Sequence, residues 1–327
     1  MEQPEPLKII CRNCGARYDV TSFEPFSQFA CPVCNTLLKV PRRFGRYQLE
    51  KICGKGGMAA VYRAIDPEFS RRVAVKIMSE EAAAEESLVR HFIDQAHLVS
   101  RIDHPGIIPI YESGTLDDQP YLVMKYMDGG SFELRQKEKR LPETPVLLTN
   151  IAVVAGGLQA ALQANIIHHD IKPGNILTGS DGSVGLGDFD LAECPVRNSE
   201  LQPPREWASP AYVSPEWLDT GEEDFRGDIF SLGVTAYELL TGQIPYATDG
   251  GADVLLERRR HPLHLPAGDL NPLLSKNFSG FLERMMAFRP EERPAYPEII
   301  REFLQEGRRL ADSSGGRTAT WRIFGRR

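Results

Sequence analysis

Four cysteines in two close pairs constrain the first forty residues of the chain more than any other feature of the sequence. Cys11 and Cys14 form one C-x2-C pair, Cys31 and Cys34 form another, and sixteen residues separate the two pairs. Two tight turns with this spacing present four thiolates tetrahedrally, the arrangement typical of structural Zn²⁺ sites. The sequence therefore predicts a small zinc-binding module over residues 1–41.

This module resembles a zinc ribbon, in which the metal has a structural role. Phe23, Phe26 and Phe29 lie between the cysteine pairs. They could form a ligand-binding surface, but a unit of about forty residues needs every apolar side chain for its own core. We interpret them as that core. Residues 1–46 carry seven basic and four acidic side chains, too small an excess to indicate nucleic-acid binding.

Length and composition limit the remaining possibilities. A chain of 327 residues exceeds what one hydrophobic core usually organises, and its net charge of −7 lacks the positive excess that nucleic acid favours. Its first six residues do not resemble a secretory signal. The apolar stretches 151–167 and 229–240 are expected to be too short or too interrupted to span a bilayer. We expect a cytoplasmic protein without a membrane anchor or a nucleic-acid partner, and its oligomeric state stays open.

The hydrophobic pattern changes character along the chain. After a Pro/Gly/Arg junction at residues 40–45, short β runs with one helix between them extend to about Tyr126. Beyond Asp128 the pattern is helical, and the segments 146–167 and 229–240 are apolar all round, as buried helices are. We find no internal repeat. The tail from 311 to 327 is expected to be loosely ordered, and Cys53 and Cys194 to be ordinary thiols.

Several short motifs follow the junction. The segment Gly54–Val61 is rich in glycine and lies between two β runs, so it predicts a hairpin rather than the strand-to-helix turn of a dinucleotide site. Glycines there let backbone N–H groups approach phosphate oxygens. The later motifs are Val73-Ala74-Val75-Lys76, His168-His169-Asp170 with Lys172 and Asn175, Asp188-Phe189-Asp190, and Ser214-Pro215-Glu216, followed by Asp228 and Arg293.

In order and spacing these motifs resemble those of the protein kinase fold. From Phe44 to about Leu304 their residues are similar to those of bacterial serine/threonine kinases. The resemblance implies an α+β, two-lobed fold. We expect a β-rich N-lobe over 44–127 and an α-helical C-lobe over 128–308, which together make a kinase domain over 44–308. The zinc ribbon of 1–41 precedes it, and a flexible tail of 309–327 follows.

The resemblance also implies roles for individual residues. Asp170 would orient and deprotonate the acceptor hydroxyl, Lys172 would neutralise the transferring phosphate, Lys76 would hold the α/β-phosphates, and Asn175 and Asp188 would hold Mg²⁺. Lys172 together with Ser209 indicates serine/threonine rather than tyrosine specificity. The residues expected to contact ATP are Gly54, Lys55, Gly56, Gly57, Val61, Ala74, Lys76, Met124, Lys125, Met127, Asn175 and Asp188.

One departure from the family pattern affects the helix between the strands. Its apolar face has a 3.6-residue period and contains Leu88, Phe92, Gln95, Val99 and Ile102. Gln95 therefore points inward, at the position where the family has a glutamate that pairs with the lysine. Asp94 lies about 100° away around the helix and cannot easily replace it. A neutral hydrogen bond in place of a charged one loses about 1 kcal/mol, close to a tenfold effect, which predicts slowed catalysis.

Three further departures leave the groups that contact phosphate unchanged. Ala59 replaces the third loop glycine, His169 replaces the arginine before Asp170, and Asp190 replaces the glycine after Phe189. Because that arginine normally receives a phosphorylated activation segment, His169 suggests that activity depends little on such phosphorylation. Together the departures keep one alternative open, a nucleotide-binding pseudokinase acting as a scaffold or switch. A second alternative, independent of them, is a binding module in which the ribbon recruits a partner or nucleic acid and the kinase lobe is regulatory.

Overall fold

The computed structural model describes residues 6–189 and 209–313. The described chain forms two compact units. The first contains the residues up to Ala96 together with Pro109–Tyr126, and the second contains His97–Ile108 together with the residues from Met127 onward. Asp190, Cys194 and the tail beyond residue 313 lie outside the described residues.

The first unit is built mainly from short antiparallel strands. Two of its helices, α1 (Glu80–Ala83) and α2 (Glu86–Val99), follow the third long strand. The strands are β1 (Lys8–Ile10), β2 (Arg17–Asp19), β3 (Gln28–Ala30), β4 (Leu37–Lys39), β5 (Arg42–Phe44), β6 (Tyr47–Lys55), β7 (Ala59–Asp66), β8 (Arg71–Met78), β9 (Ile110–Leu116) and β10 (Gln119–Lys125). The β runs that the sequence predicted lie in β7, β8 and β10.

The first forty residues contain two copies of one hairpin, so the prediction of no internal repeat is wrong. The pairs β1–β2 and β3–β4 have the same three-residue register, offset by twenty positions. In each copy the first cysteine donates its N–H to a carbonyl five residues on, at 2.8 Å, and the second cysteine precedes a residue with positive φ. The equivalence was hidden because that left-handed residue is Gly15 in one copy and Asn35 in the other, both of which tolerate it.

A six-stranded antiparallel sheet forms the body of the first unit, in the order β5-β6-β7-β8-β10-β9. Side chains alternate between its two faces. On one face Val73, Val75 and Ile77 of β8 join a buried cluster with Tyr62 and Val123. On the other face a second cluster packs under α2, and its members are Ala59, Met78, Ala82, Phe92, Ala96 and Leu122. The sheet therefore has two distinct apolar faces, each covered.

The cysteine module packs on the first of these faces. Phe26 stacks on Tyr62, with ring centroids 6.1 Å apart and planes at 11°. Arg12 forms an ion pair with Glu50 of β6 at 3.6 Å, and Glu50 also pairs with Arg63 at 2.6 Å. The expectation that Phe26 belongs to the module's own core is therefore wrong, since the module uses Leu7, Val20 and Val40 instead.

The second unit is mostly helical. Its two apolar helices are α4 (Thr144–Gln163) and α6 (Phe225–Thr241), and both are largely buried, as the sequence predicted. The remaining elements are β11 (Gly130–Ser131), α3 (Phe132–Lys137), β12 (Ile176–Thr178), β13 (Val184–Leu186), α5 (Pro215–Thr220), α7 (Ala252–Arg260), α8 (Ala267–Leu270), α9 (Lys276–Met285) and α10 (Tyr296–Ser313). The strands β11, β12 and β13 make a small antiparallel sheet.

Two lengths differ from the sequence-based expectation. The α4 helix has 20 residues and is long and apolar enough to cross a membrane, so the expectation that this stretch is too short is wrong. However, 56% of its most apolar window is buried inside the protein, as in an ordinary core helix. The α10 helix continues through Ser313, past the point at residue 309 where a flexible tail was expected to begin.

Polar caps fix where the helices around the candidate site begin. The Ser214 hydroxyl accepts the N–H of Trp217 and starts α5, and the Asp224 carboxylate accepts the N–H of Arg226 and starts α6. Each cap satisfies a backbone donor that has no partner within the helix. Both helices end at a left-handed glycine, Gly221 and Gly242, where a side chain would be strained. These stops set the lengths of the two helices.

Candidate active site

The strand register of the first unit brings several predicted ATP-contacting residues to one face of the sheet. Val61 of β7 lies opposite Lys76 of β8 and also opposite Gly54 of β6. Ala74 of β8 lies opposite Met124 of β10. Directly opposed residues share a face, and so do residues two apart in a strand. These five residues therefore share one face, and it is the face that lies under α2 rather than the one under the cysteine module.

The glycine-rich segment closes a tight hairpin on this sheet. The N–H of Gly56 donates to the carbonyl of Ala59 at 2.9 Å, and Gly54, Lys55, Gly56 and Gly57 are all exposed. Ala59 lies opposite Met78 and is buried in the cluster under α2. Because its methyl group packs there, the alanine in place of a third glycine has a local structural reason.

Lys76 and Gln95 are both buried within the first unit, at 6% and 7% exposure. Asp94, one residue earlier in α2, is exposed. The prediction that Gln95 rather than Asp94 faces inward is confirmed. The helix ends at Val99, however, so Ile102 continues the apolar face only beyond the last turn.

In the second unit, three polar side chains contact the Asp170 carboxylate. Its Oδ2 lies 2.7 Å from Lys172 Nζ and accepts from Asn175 Nδ2 at 2.9 Å. Its Oδ1 accepts from Ser209 Oγ at 3.0 Å, and Ser209 in turn accepts from Lys172 Nζ at 2.8 Å. Ser209 therefore bridges the two members of the Asp170–Lys172 pair. The arrangement holds a carboxylate, an ammonium group and an amide in fixed mutual positions.

The backbone that carries Asp170 is fixed by Asp228, in the first turn of α6. This carboxylate is 2% exposed and accepts the N–H groups of His168 and His169 at 2.8 and 2.9 Å. Burial raises the pKa of Asp228, while the two donors stabilise its charged form. His169 has φ of 64°, so a bend of the chain at this residue precedes Asp170. Asp228 thus determines where the following residue lies.

His168 is completely buried, and its ring bonds define its tautomer. Nδ1 accepts the N–H of Asp170 at 3.2 Å, so Nε2 carries the hydrogen and donates to the Gly187 carbonyl at 3.1 Å. Burial lowers the pKa of His168, which agrees with the neutral ring that these bonds require. The same ring contacts Phe189 with centroids 4.4 Å apart. Phe189 is buried, and its neighbour Asp188, at φ of 61°, is exposed.

His169 has a buried carboxylate as its partner. Its Nδ1 lies 2.8 Å from Glu223 Oε1, and both side chains are about 5% exposed or less. The second oxygen of Glu223 accepts from the Ser214 hydroxyl. Glu223 could not be identified from the sequence, because nothing in its local sequence distinguishes it from the neighbouring Glu222 and Asp224.

A bidentate ion pair anchors the start of α5. Arg293 donates to both oxygens of Glu216, at 2.6 and 2.7 Å, and also to the carbonyls of Arg226 and Ala287. Its side chain is completely buried. Charge-assisted bidentate pairs of this kind are among the stronger polar contacts in proteins. Glu216 and Arg293 therefore stabilise the helix that follows the Ser209 segment.

Comparison with known proteins agrees with this geometry. The family described as the protein kinase domain matches residues 47–304. The chain belongs to the protein kinase family. It is 35% identical over 214 residues to the serine/threonine-protein kinase PknL of Mycobacterium tuberculosis, covering 65% of this chain and 53% of the relative. It is 34% identical over 217 residues to PrkC of Bacillus subtilis, covering 65% of this chain and 33% of the relative.

The chain spans about half or less of the length of these relatives. Its kinase domain has the β-rich first part and helical second part that the sequence predicted. Of the predicted site residues, those from Gly54 to Lys125 lie in the first unit. Met127, Asp170, Lys172, Asn175 and Asp188 lie in the second.

A second candidate site precedes the kinase domain. The sulfur atoms of Cys11, Cys14, Cys31 and Cys34 all lie within 4.8 Å of one another, and two of the Sγ···Sγ distances are 3.6 Å. Four thiolates at about 2.3 Å from a tetrahedral ion would be about 3.8 Å apart, so the cluster fits a metal ion. The thiolate is the form of cysteine that binds metal.

Replacing Gln95 by glutamate is expected to raise the rate of phosphate transfer about tenfold, because a carboxylate restores a charge-assisted bond to the buried Lys76. Steady-state kinetics of Gln95→Glu with a generic protein substrate measure this. Asp94→Asn, on the exposed side of the same helix, is the control and should leave the rate unchanged. An unchanged or lower rate in Gln95→Glu would show that Gln95 does not face Lys76.

Buried His168 predicts a loss of stability in mild acid. Its folded-state pKa is below the unfolded value of 6.5, so the unfolded chain binds the proton more readily. The stability that the neutral His168 ring contributes is complete above pH 6.5. It is lost as the pH falls below that value, by up to about 1.4 kcal/mol per pH unit. The free energy of unfolding, measured with urea between pH 7.5 and 5.5, should fall less steeply with decreasing pH in His168→Gln than in the wild type. The exposed His261→Gln is the control and should behave like the wild type. The same pH dependence in all three proteins would contradict the neutral, buried state of His168.

Proposed function

We propose that this chain transfers the γ-phosphate of ATP to serine or threonine hydroxyls of protein substrates. The observation that carries the proposal is the cluster in which Asp170 contacts Lys172, Asn175 and Ser209. Phosphoryl transfer needs charge neutralisation and positioning more than covalent chemistry, and these side chains supply both. The relatives' names as serine/threonine kinases support the same reaction.

In this proposal Asp170 accepts the proton of the acceptor hydroxyl. Its carboxylate is held on both oxygens by neighbouring donors, so it needs little reorganisation before reaction. Lys172 lies beside it as a cation that offsets negative charge on the transferring group. The bond between Lys172 and Ser209 keeps that ammonium group next to the carboxylate.

Asn175 and Asp188 would hold Mg²⁺, which neutralises the phosphate oxygens when bound. The carbonyl of Asn175 accepts the N–H of Gly187, and Asp188 is the next residue, so one backbone bond links the two positions. Asp188 is exposed and therefore accessible to a hydrated ion and a nucleotide. In the first unit, Lys76 and the N–H groups of the glycine hairpin would bind the phosphates.

We also propose that the activity depends little on phosphorylation of the segment after Asp188. The position that normally receives the phosphate is His169, and its Nδ1 already has the Glu223 carboxylate at 2.8 Å. Glu223 also binds Ser214, close to the end of that segment. A carboxylate from the protein itself therefore occupies the place of an added phosphate.

The alternative is a pseudokinase that binds nucleotide without transferring phosphate. Gln95 is the departure that favours it most, because a buried neutral amide orients Lys76 less strongly than a carboxylate does. Ala59 and His169 argue less for it, since each has a local partner in its own unit. We therefore propose a slow enzyme and treat the pseudokinase as the outcome to be excluded.

The deciding experiment is transfer of radiolabelled phosphate from ATP with Mg²⁺ to the chain itself and to a generic basic protein. Incorporation is expected for the wild type and a drop of about 10²–10⁴-fold for Asp170→Ala, because a positioned general base contributes about that much. Asp219→Ala, an exposed carboxylate on α5, is the matched control. Phosphate incorporation that persists in Asp170→Ala would refute the role of Asp170. No incorporation in the wild type would favour the pseudokinase alternative.

For the cysteine module we propose a structural Zn²⁺ ion that stabilises the sheet of the kinase domain. The ion would fix the two hairpins relative to each other through all four thiolates. Phe26 and Arg12 would then present a preformed surface to Tyr62 and Glu50. These contacts favour a structural module over one that only recruits a partner, because a recruiting module does not need to pack on the sheet.

The purified chain is expected to contain one zinc per molecule, and Cys14→Ser with Cys31→Ser to contain none and melt at a lower temperature. The metal-dependent difference in melting temperature should shrink in a Phe26→Ala background, because the stack that connects the module to the sheet is gone. Phe69→Ala, at an exposed phenylalanine of the same unit, is the control. Absence of zinc, or equal melting temperatures with and without the cysteines, would refute the module's role.

The proposed partners are protein substrates that carry a serine or threonine acceptor. We propose the cytoplasm as the location, because ATP is available there and a reducing compartment keeps thiols free to bind metal.

A further inference from the structure

Arg259, near the end of α7, is a buried arginine that the reaction as described does not use. It is 2% exposed, whereas its neighbours Arg258 and Arg260 keep side-chain exposures of 31% and 50%. Burying a charge is costly unless its donors are satisfied. Three consecutive arginines occupy residues 258–260, and nothing in the sequence indicates which of them is buried.

Within the described chain, the hydrogen bonds of Arg259 all go to backbone carbonyls. Nη2 donates to Pro210 O at 2.6 Å and Ala211 O at 3.4 Å, Nε donates to Val213 O at 2.8 Å, and Nη1 donates to Leu255 O of its own helix at 3.0 Å. Among the described residues, no carboxylate lies within 4.0 Å of the guanidinium. The rings of Tyr246 and Phe230 lie 5.1 and 5.9 Å from it.

The group remains cationic despite its burial. Loss of hydration lowers the pKa of Arg259 to about 10, still well above neutral pH. A cation that faces aromatic rings and carbonyl oxygens retains part of the stabilisation that it loses with water. Its charge therefore strengthens the bonds to the three carbonyls of the 210–213 segment.

This segment follows directly on Ser209, which touches the Asp170 carboxylate. The Tyr212 N–H donates to the Ser209 carbonyl at 2.9 Å and closes a turn. The one carbonyl in 210–213 that Arg259 does not bind is that of Tyr212, and it accepts from the Ser231 hydroxyl at 2.8 Å. Every carbonyl of the segment is thus held by a side chain from α6 or α7.

We propose that Arg259 is a positioning residue that fixes Ser209 against Asp170 and shapes the surface on which a protein substrate lies. An acceptor hydroxyl that reaches Asp170 must place the neighbouring residues of its own chain beside Ser209 and the residues after it. The inference rests on the proposed kinase activity and deepens it, because it assigns control of substrate orientation to a side chain that touches neither phosphate nor metal. Displacements of about 1 Å at such a site cost about a hundredfold in rate.

The test compares Arg259→Met with Arg258→Met, whose parent arginine bonds to Ala247 and Asp249 at the surface. We expect a 10- to 100-fold loss of kcat with the protein substrate for Arg259→Met, with KM for ATP within twofold of the wild type. Arg258→Met should match the wild type. Because Arg259 acts through Ser209, Arg259→Met combined with Ser209→Ala should be no slower than the worse single variant. Additive losses, or a kcat within twofold of the wild type in Arg259→Met, would overturn the proposal.

Two measurements keep the test decisive if Arg259→Met folds poorly or if the wild type proves inactive. Arg259→Lys retains the charge but cannot reach three carbonyls at once, so an intermediate kcat is expected, and wild-type kcat would count against the proposal. Hydrogen exchange at the Tyr212 amide needs no activity. It should become faster in Arg259→Met and stay unchanged in Arg258→Met, and unchanged exchange in both refutes the positioning role even if no phosphate is transferred.

Discussion

The candidate catalytic loop around Asp170 depends on two hydrogen bonds, which the His168 and His169 N–H groups donate to the Asp228 carboxylate. It crosses sixty residues of sequence and lies in the dry interior of the second unit, where water cannot replace it. Losing the carboxylate would leave two buried donors without acceptors, each at a cost of about 1–3 kcal/mol. The apolar length of α6 holds Asp228 in place, because a helix buried on all sides cannot rotate without exposing its core residues. The packing of α6 therefore determines the position of Asp170 through two hydrogen bonds to the backbone.

In the first unit the corresponding constraint is the register of the long sheet. Because side chains alternate, β8 places Lys76 and Ala74 on one face and Val73, Val75 and Ile77 on the other. A slip of one residue would exchange the two faces. The same alternation explains why the cysteine module can pack on Tyr62 without covering Lys76. The module and the predicted phosphate-binding residues thus occupy opposite faces of the same strands, so stability supplied on one face holds the residues on the other in position.

Features that depend on local sequence could be predicted, whereas features that depend on contacts between residues far apart in the chain could not. The groups expected to act on phosphate could be named because their motifs resemble those of the protein kinase family, and Gln95 was oriented correctly by helical period alone. The repeat in the module was missed because its copies agree in backbone geometry but, apart from the cysteines, in few side chains. Phe26 was assigned to the wrong core because burial within a module and burial against a neighbour give the same apolar pattern. Glu223 and Arg259 were missed because their partners lie 54 and 46 to 49 residues away, at distances that no local pattern encodes.

Two of the four departures from the family pattern, His169 and Ala59, are matched by neighbouring residues. Glu223 can reach His169 only because residue 227 is glycine, since a Cβ there would lie 1.9 Å from the Glu223 carboxylate. The histidine, the glutamate and the glycine therefore form one set of neighbouring contacts. Ala59 is similarly matched to Met78 across the strands. Substitutions balanced in this way alter how the catalytic loop and the glycine hairpin are supported, while the side chains expected to contact phosphate stay as the family has them. Such a pattern is what the proposed slow kinase requires, in which the Glu223 carboxylate contacts His169 where an added phosphate would otherwise be needed.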